Sequence, residues 1–416
     1  MDGQWAGGRM TANFVMVVAA SCIALFTLRP RLVNAPLWRA TVTPLASIIG
    51  SGFLVAGPIL GHVAGNMAWL AMLGLCAVAY VFGAAIRHNI RVVEPMLAEN
   101  VSGPILRIEQ TSDLALAFAY FVSVAYYLNL FAAFALRADG IVDETMTRWL
   151  ASGVILLLGL LGTFRGLRAL EQVEIVAVGV KLALIGGLIS ALVFTDVLTL
   201  LGGGTLLTHL SHETGAKEFG TLLGLVILVQ GFETSRYLGN AYDPALRIRT
   251  MRFAQLLSTA IYVLFIGLIT PYFVAGMPET GGETAIIDML EPLGSMVAPL
   301  IIFAALGSQL SAAVADMNGA GGLLASATNS RIRVRTGYFA TACVAIAITW
   351  SADIFEIIVL ASKAFVIYYG LQSLSALLTA GSTSEPGRLH RVALFGLGTF
   401  VALLVLVFGI PAEAVG

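Results

Sequence analysis

Lys181, Glu233, Asp316 and Lys363 each interrupt a long apolar stretch of this chain. Only one further lysine exists, Lys217, and every other basic residue apart from histidine is an arginine. A lysine at the middle of a membrane helix costs roughly 2.5–3.5 kcal/mol on insertion scales. Arginine keeps its proton, whereas a desolvated lysine can exchange one, so Lys181 and Lys363 are candidates for proton coupling. The competing reading for each is a snorkelling side chain or a structural ion pair. Glu233 stands beside Gly231; it can carry a proton, meet a cationic substrate, or cap loosened backbone. Asp316 reads as a gate or as the structural partner of an arginine, in preference to a substrate ligand.

Two glycine-bearing segments supply the chemistry of exposed backbone. The first is Ile49-Gly50-Ser51-Gly52-Phe53 and the second is Gln230-Gly231-Phe232-Glu233, both at mid-span. Glycine weakens a helix, and the freed amides and carbonyls can then hold a ligand. An isolated Gly-x-Gly more often serves close helix packing. Two interruptions at matching positions of two halves point instead to a transporter site. Amides near Gly50–Phe53 suit a carboxylate, and carbonyls near Gln230–Glu233 suit an ammonium. Tyr126, Tyr127, Asn129, Tyr368, Tyr369 and Gln372 are candidates to line a pocket, although aromatic residues in helices usually pack.

Other chemistries find no support. Cys22, Cys76 and Cys343 lie in apolar runs and form no CxxC pair, so they read as small buried hydrophobes. His209 and His212 have helical spacing for a metal pair, but no third ligand stands near them and no metal is expected. There is no G-x-x-x-x-G-K-[ST] phosphate loop, no HExxH and no GxSxG in an accessible setting. Neither an enzyme nor a bound cofactor is expected, and energy for transport would come from a gradient. A net charge of −1 offers no footprint for nucleic acid.

The elements that must position these groups follow from hydropathy. The chain of 416 residues is 58% hydrophobic and 11% charged, against about 25% charged in soluble domains. Apolar runs such as Trp69–Ala85 and Val392–Ile410 approach the roughly 20 residues of a spanning helix. Period-two alternation is absent, which leaves helices as the only way to satisfy backbone in lipid. We expect an all-α membrane protein of about 12 spans. An extra first helix, at 10–28, is followed by Arg29, Pro30 and Arg31 instead of a cleavage site, and so reads as retained. Eleven spans follow at 41–64, 67–86, 110–136, 146–163, 168–195, 219–238, 252–276, 295–324, 335–350, 353–379 and 390–410, with loops at 87–109, 196–218 and 277–294. Alternate loops on one side hold only Arg9, Arg137, Arg148 and Lys217, while all the remaining arginines fall on the other. The positive-inside rule places the arginine-rich loops in the cytoplasm of a bacterial inner membrane and both termini outside. Residues 1–40 then form an extra helix and linker, 41–195 a first repeat, 219–380 a second, and 390–410 a terminal helix. Five spans per repeat is an odd number, so the two repeats insert inverted.

These residues resemble the amino acid–polyamine–organocation (APC) superfamily. Ile49-Gly50-Ser51-Gly52-Phe53 with Pro58 is similar to its first-helix signature, and Gly231-Phe232-Glu233 with Asn240 and Asp243-Pro244 to its sixth. Ser308, Ser311 and Asn329-Ser330-Arg331 also fit. The extra N-terminal helix and Arg87-His88-Asn89 at the end of the 67–86 span depart from it. The resemblance implies a leucine-transporter-like fold and a secondary transporter for an amino acid or related amine or small organic ion. In that family helix-1 carbonyls and helix-8 hydroxyls, here Ser308 and Ser311, hold sodium, or a helix-5 lysine resembling Lys181 takes the place of the ion. The resemblance therefore implies proton coupling. The rival readings are a sodium symporter and a transporter-derived subunit or sensor that moves nothing.

Overall fold

Proline and glycine punctuate a chain that is otherwise helical. The computed structural model describes residues 2–50, 52–99, 103–165, 168–203, 206, 215–239, 241–273, 282–328, 331–382 and 387–412. Among these residues the order is α1 (Asp2–Thr27), α2 (Pro30–Val33), α3 (Pro36–Ile48), α4 (Gly52–Ala64) and α5 (Ala68–Ala98). Then come α6 (Pro104–Arg137), α7 (Glu144–Arg165), α8 (Arg168–Leu201), α9 (Ala216–Gly224) and α10 (Pro244–Ile269). The last five are α11 (Ile286–Leu290), α12 (Val297–Ala327), α13 (Val334–Ser351), α14 (Ile354–Ser382) and α15 (Arg388–Phe408). Proline opens α2, α3, α6 and α10, where its missing N–H has no intrahelical partner to lose. Asp243 caps α10 by accepting from the Leu246 amide at 3.0 Å.

Eight stretches among the described residues are long and apolar enough to cross a membrane, with Pro36–Ala98 counted as one; Thr11–Thr27 is a shorter apolar helix. Large apolar side chains such as Phe14, Phe303, Phe400 and Leu403 face outward, as lipid contact requires. The interior is built around α6, which packs against α7, α12, α13 and α14. Its inward residues Tyr120, Tyr126, Tyr127 and Leu130 are buried.

Most of the loop expected at 87–109 is helix. The polar residues that marked its start are turned into protein, not water. Arg87 donates to the Gln255 side chain and lies 4.7 Å from the Tyr80 ring centre. Asn89 donates to Gln372 Oε1 at 2.8 Å. A second departure is the expected span at 219–238, where regular helix lasts only over Ala216–Gly224. The 277–294 loop contains α11, and His209, His212, Asn240, Asn329 and Ser330 lie outside the described residues.

The N-terminal helix is seated on α8 through small residues. A Cβ on Gly187 would lie 2.7 Å from the Met16 carbonyl oxygen, and one on Gly179 would meet Leu28 and Thr27. The Thr27 hydroxyl donates to Gly179 O at 3.3 Å. Such close backbone approach gives the van der Waals contact on which helix association in lipid depends. Gly187→Val must separate the two helices, so we expect a loss of roughly 1–3 kcal/mol. A thermal melt of the detergent-solubilised protein checks this as a lowered transition.

Candidate functional site

Both glycine segments interrupt their helices, and the two interruptions touch. Helix α3 ends at Ile48, with the Ile49 amide bonded to Leu45 O at 3.0 Å and the Gly50 amide to Ser47 O at 3.1 Å. Helix α4 resumes at Gly52. Ser51 lies outside the described residues. In the second segment α9 gives way to a 3-10 turn over Val226–Val229, extended backbone at Gln230, and Gly231 with φ of +117°. A further 3-10 stretch covers Phe232–Leu238.

Only glycine permits the contact at either side. A Cβ on Gly231 would fall 2.6 Å from Ser47 Cβ and 2.7 Å from the Ile48 amide nitrogen. A Cβ on Gly52 would fall 2.4 Å from Leu228 O. Tyr262 of α10 fastens the pair. Its hydroxyl lies 2.9 Å from Ile48 O and 2.8 Å from Leu228 O, sharing one proton between carbonyls of the two broken strands of backbone. Ser362 of α14 accepts from the Ile227 amide at 2.9 Å. The sequence reading did not single out Tyr262 or Ser362. A tyrosine or serine within an apolar helix carries no signal of its partner.

Lys181 reaches the first break. Its ammonium donates to Ala46 O, in the last turn of α3, at 3.1 Å, and the side chain is buried. The carbonyl end of a helix favours a cation. Ser308 of α12 donates to Gly50 O from the other side. Lys181 and Ser308, with Ile49, Gly50, Phe53 and Leu54, line a cavity of about 10 Å³. Ser311 does not join them through its hydroxyl, which donates to Ser308 O in its own helix at 3.0 Å. Lys363 is only partly buried on α14 and makes no hydrogen bond or ion pair among the described residues.

Glu233 is fully buried and caps the second break. Its Oε2 accepts from the Gly231 amide at 2.9 Å and from the Tyr369 hydroxyl at 2.8 Å. Gln230 donates to the Tyr127 hydroxyl at 2.5 Å. Tyr126 is buried beside Tyr127, ring centres 5.3 Å apart. The rings of Phe53 and Phe232 pack on neighbours, Phe53 stacking on Phe265 at 4.1 Å and Phe232 on Tyr369 at 4.9 Å. Of the two roles read from the sequence for Asp316, gate or arginine pair, the arginine pair is not found among the described residues; Asp316 accepts from Ser123 of α6.

The two ends of α6 differ. Near its start Glu109 pairs with Arg236 at 2.7 Å and accepts from Ser375 at 2.9 Å, while Gln372 accepts from both Arg236 and Asn89. Arg247 pairs with Glu94 at 2.6 Å and donates to Arg236 O at 2.7 Å. This mostly buried network joins α5, α6, α10, α14 and the segment after the second break. Near the other end of α6, a cavity of about 330 Å³ is lined by Asn129, Asp143, Glu144, Arg148, Glu283 and Asp353 among others.

A family model for APC superfamily transporters matches residues 30–409. The chain belongs to the APC superfamily. An uncharacterized protein of Aquifex aeolicus, strain VF5, is 40% identical over 405 residues, covering 96% of this chain and 98% of that one. A crystal structure of a mutant manganese transporter from Eremococcus coleocola superposes with a TM-score of 0.55 at 12% identity, over 90% of this chain and 87% of that one. That likeness is one of fold. This APC superfamily member is thus an integral membrane protein of transporter type, not of an enzyme family.

Two substitutions probe the joined breaks. Gly231→Ala combines a left-handed backbone with a clash on Ser47, and we expect a loss of at least about 1–3 kcal/mol. Tyr262→Phe leaves the shared carbonyls without their donor, at a cost of about 1–3 kcal/mol. Thermal melts in detergent check both, and a Tyr262→Phe transition equal to the parent's would show that the shared hydroxyl does not fasten the two breaks.

Proposed function

We propose that this chain is a proton-coupled secondary transporter that moves an amino acid or related small amine across a bacterial inner membrane by alternating access. The observation that carries the reading is Lys181, whose ammonium is held on the carbonyl end of α3 beside Ser308. A fixed ammonium there competes directly with a bound sodium ion, and unlike an arginine it can give up its charge. The substrate would sit against the two breaks, its ammonium near Glu233 and Gln230 and its carboxylate near the amides of Gly50 to Phe53. Residues 41–195 and 219–380 would form inverted repeats of five spans each, as in the leucine transporter, within a total of about 12.

Alternating access needs one end sealed while the other admits substrate. The ion-pair network of Arg236, Glu109, Glu94 and Arg247 supports closure at the arginine-rich end, and the 330 Å³ cavity supports approach from the other. Positive-inside bias would make the sealed end cytoplasmic.

Uptake into proteoliposomes under an imposed pH gradient tests the reading. The parent should accumulate substrate in the absence of sodium. Lys181→Ala should abolish accumulation, and Lys181→Arg should fail too because it keeps its proton. Accumulation by Lys181→Ala equal to the parent's would overturn proton coupling. Sodium-dependent uptake surviving that change would favour a sodium symporter.

A further inference from the structure

Four carboxylates line the cavity of about 330 Å³. Asp143 and Glu144 reach it from the start of α7, and Asp353 from the residue before α14. Glu283 reaches it from a 3-10 turn over Gly282–Thr284. Arg148 is the one basic side chain in the lining among the described residues.

Three of the four acids are already engaged. Asp143 accepts from the Met146 amide at 2.6 Å and caps α7. Glu144 pairs with Arg148. Asp353 accepts from the Phe355 and Glu356 amides at 2.8 and 3.0 Å and caps α14. Glu283 differs: it is partly buried, makes no ion pair among the described residues, and feels the charges of Glu144 and Asp353. Burial raises its carboxyl above the ordinary range, opposed by a hydrogen bond from its own backbone and reinforced by those two neighbours. The remaining charges around the turn are committed elsewhere. Arg137 of α6 pairs with Asp288 of α11, and Glu356 accepts from the Asp353 amide at 3.0 Å. His62 is the one titratable side chain on α4, which also packs against the turn.

The turn is placed to move. Gly282 has φ of +47°, and open space lies where its Cβ would be. Just past the turn α11 is anchored, with Ile286, Ile287, Met289 and Leu290 buried and Asp288 held by Arg137. Glu283 thus stands between a glycine hinge and a fixed helix, across a cavity from charges of its own sign. Among the described residues no group of three or more His, Cys, Asp or Glu could hold a metal ion, so these acids are not a metal centre. Like charges facing one another across a cavity repel, more strongly where water is scarce.

We propose that the Gly282–Thr284 turn is a pH-sensitive gate: ionised Glu283 is pushed away from Glu144 and Asp353 and holds the cavity open, whereas protonated Glu283 lets the turn close onto α7 and α14. Closure brings Glu283 nearer the other acids and so increases its affinity for a proton; by linkage, protonation favours the closed form. Acid on the cavity side therefore shifts the gate toward closure. The proposal takes from the transport reading only that this cavity is a way in.

The test is the labelling of a cysteine inside the cavity by a bulky neutral maleimide. Ala133 lines the cavity and is 4% exposed, so a cysteine there is reached through it. The full chain, carrying Cys22→Ser, Cys343→Ser and Ala133→Cys, is placed in lipid nanodiscs. A second protein with Thr145→Cys, at an exposed position, corrects for the pH dependence of the thiol itself. The ratio of the two labelling rates should fall at least about threefold from about pH 8 to about pH 5.5. Glu283→Gln should give the low ratio at both pH values, and Glu283→Asp should keep the fall. An unfolded variant labels faster, not slower, so misfolding cannot imitate closure. A ratio that does not change with pH when Glu283 is present overturns the proposal. So does a Glu283→Gln protein that keeps the fall, or that labels rapidly at both pH values. Labelling needs no gradient; a pH-dependent ratio without pH-driven uptake would overturn proton coupling and leave the gate standing.

Discussion

The contact between two stretches of broken backbone is the constraint on which the rest of the molecule depends. A helix interrupted inside a membrane frees amides and carbonyls that lipid cannot satisfy, at several kcal/mol each. Here Gly231 lies against Ser47 and Ile48, and Gly52 against Leu228, at distances no side chain could share. The freed groups are then met from around them by Tyr262, Ser308, Lys181, Ser362 and Glu233. Those five residues come from four other helices and from the second segment itself. The positions of α8, α10, α12 and α14 are thereby tied to one point at mid-depth.

A different kind of bonding holds the arginine-rich end. There the partners are charged and the bonds run between side chains, as with Arg236 on Glu109 and Arg247 on Glu94. Arg236 follows the second break by only a few residues, so a change in that break's geometry is felt directly by the ion pairs. Charged pairs can be wetted and remade as water enters, whereas the glycine contact cannot part without exposing backbone to an apolar interior. The molecule thus has a firm centre and an end whose closure water can compete for.

Much of this was legible before any coordinates. Paired glycines at corresponding places announced both breaks, because no other residue type tolerates that backbone or that proximity. Lys181 announced itself by cost, since a lysine in an apolar helix must have a reason. What escaped was partnership at long range. Arg87 and Asn89 looked like the end of a helix because polar residues usually mean water; their partners, Gln255 and Gln372, lie far along the sequence. Tyr262 was invisible for the opposite reason, being one aromatic among many. Asp316 was read as a gate or as an arginine's partner; among the described residues it has no such arginine and accepts from Ser123, since a carboxylate in a helix says only that it needs a partner. Ser311 shared a helix with Ser308 but turned its hydroxyl to its own backbone.

The seating of α1 on α8 bears on what can move. Gly179, Gly186 and Gly187 are covered by Leu28, Ile23 and the Met16 backbone, so sliding one helix along the other would leave grooves too narrow for an acyl chain to fill. The pair must therefore tilt as one body. Since α8 also carries Lys181, any tilt of that helix would take the N-terminal helix with it and would meet added lipid drag. It also covers that face of α8 against the surrounding acyl chains, so any route for water to Lys181 is narrowed to the interior of the bundle.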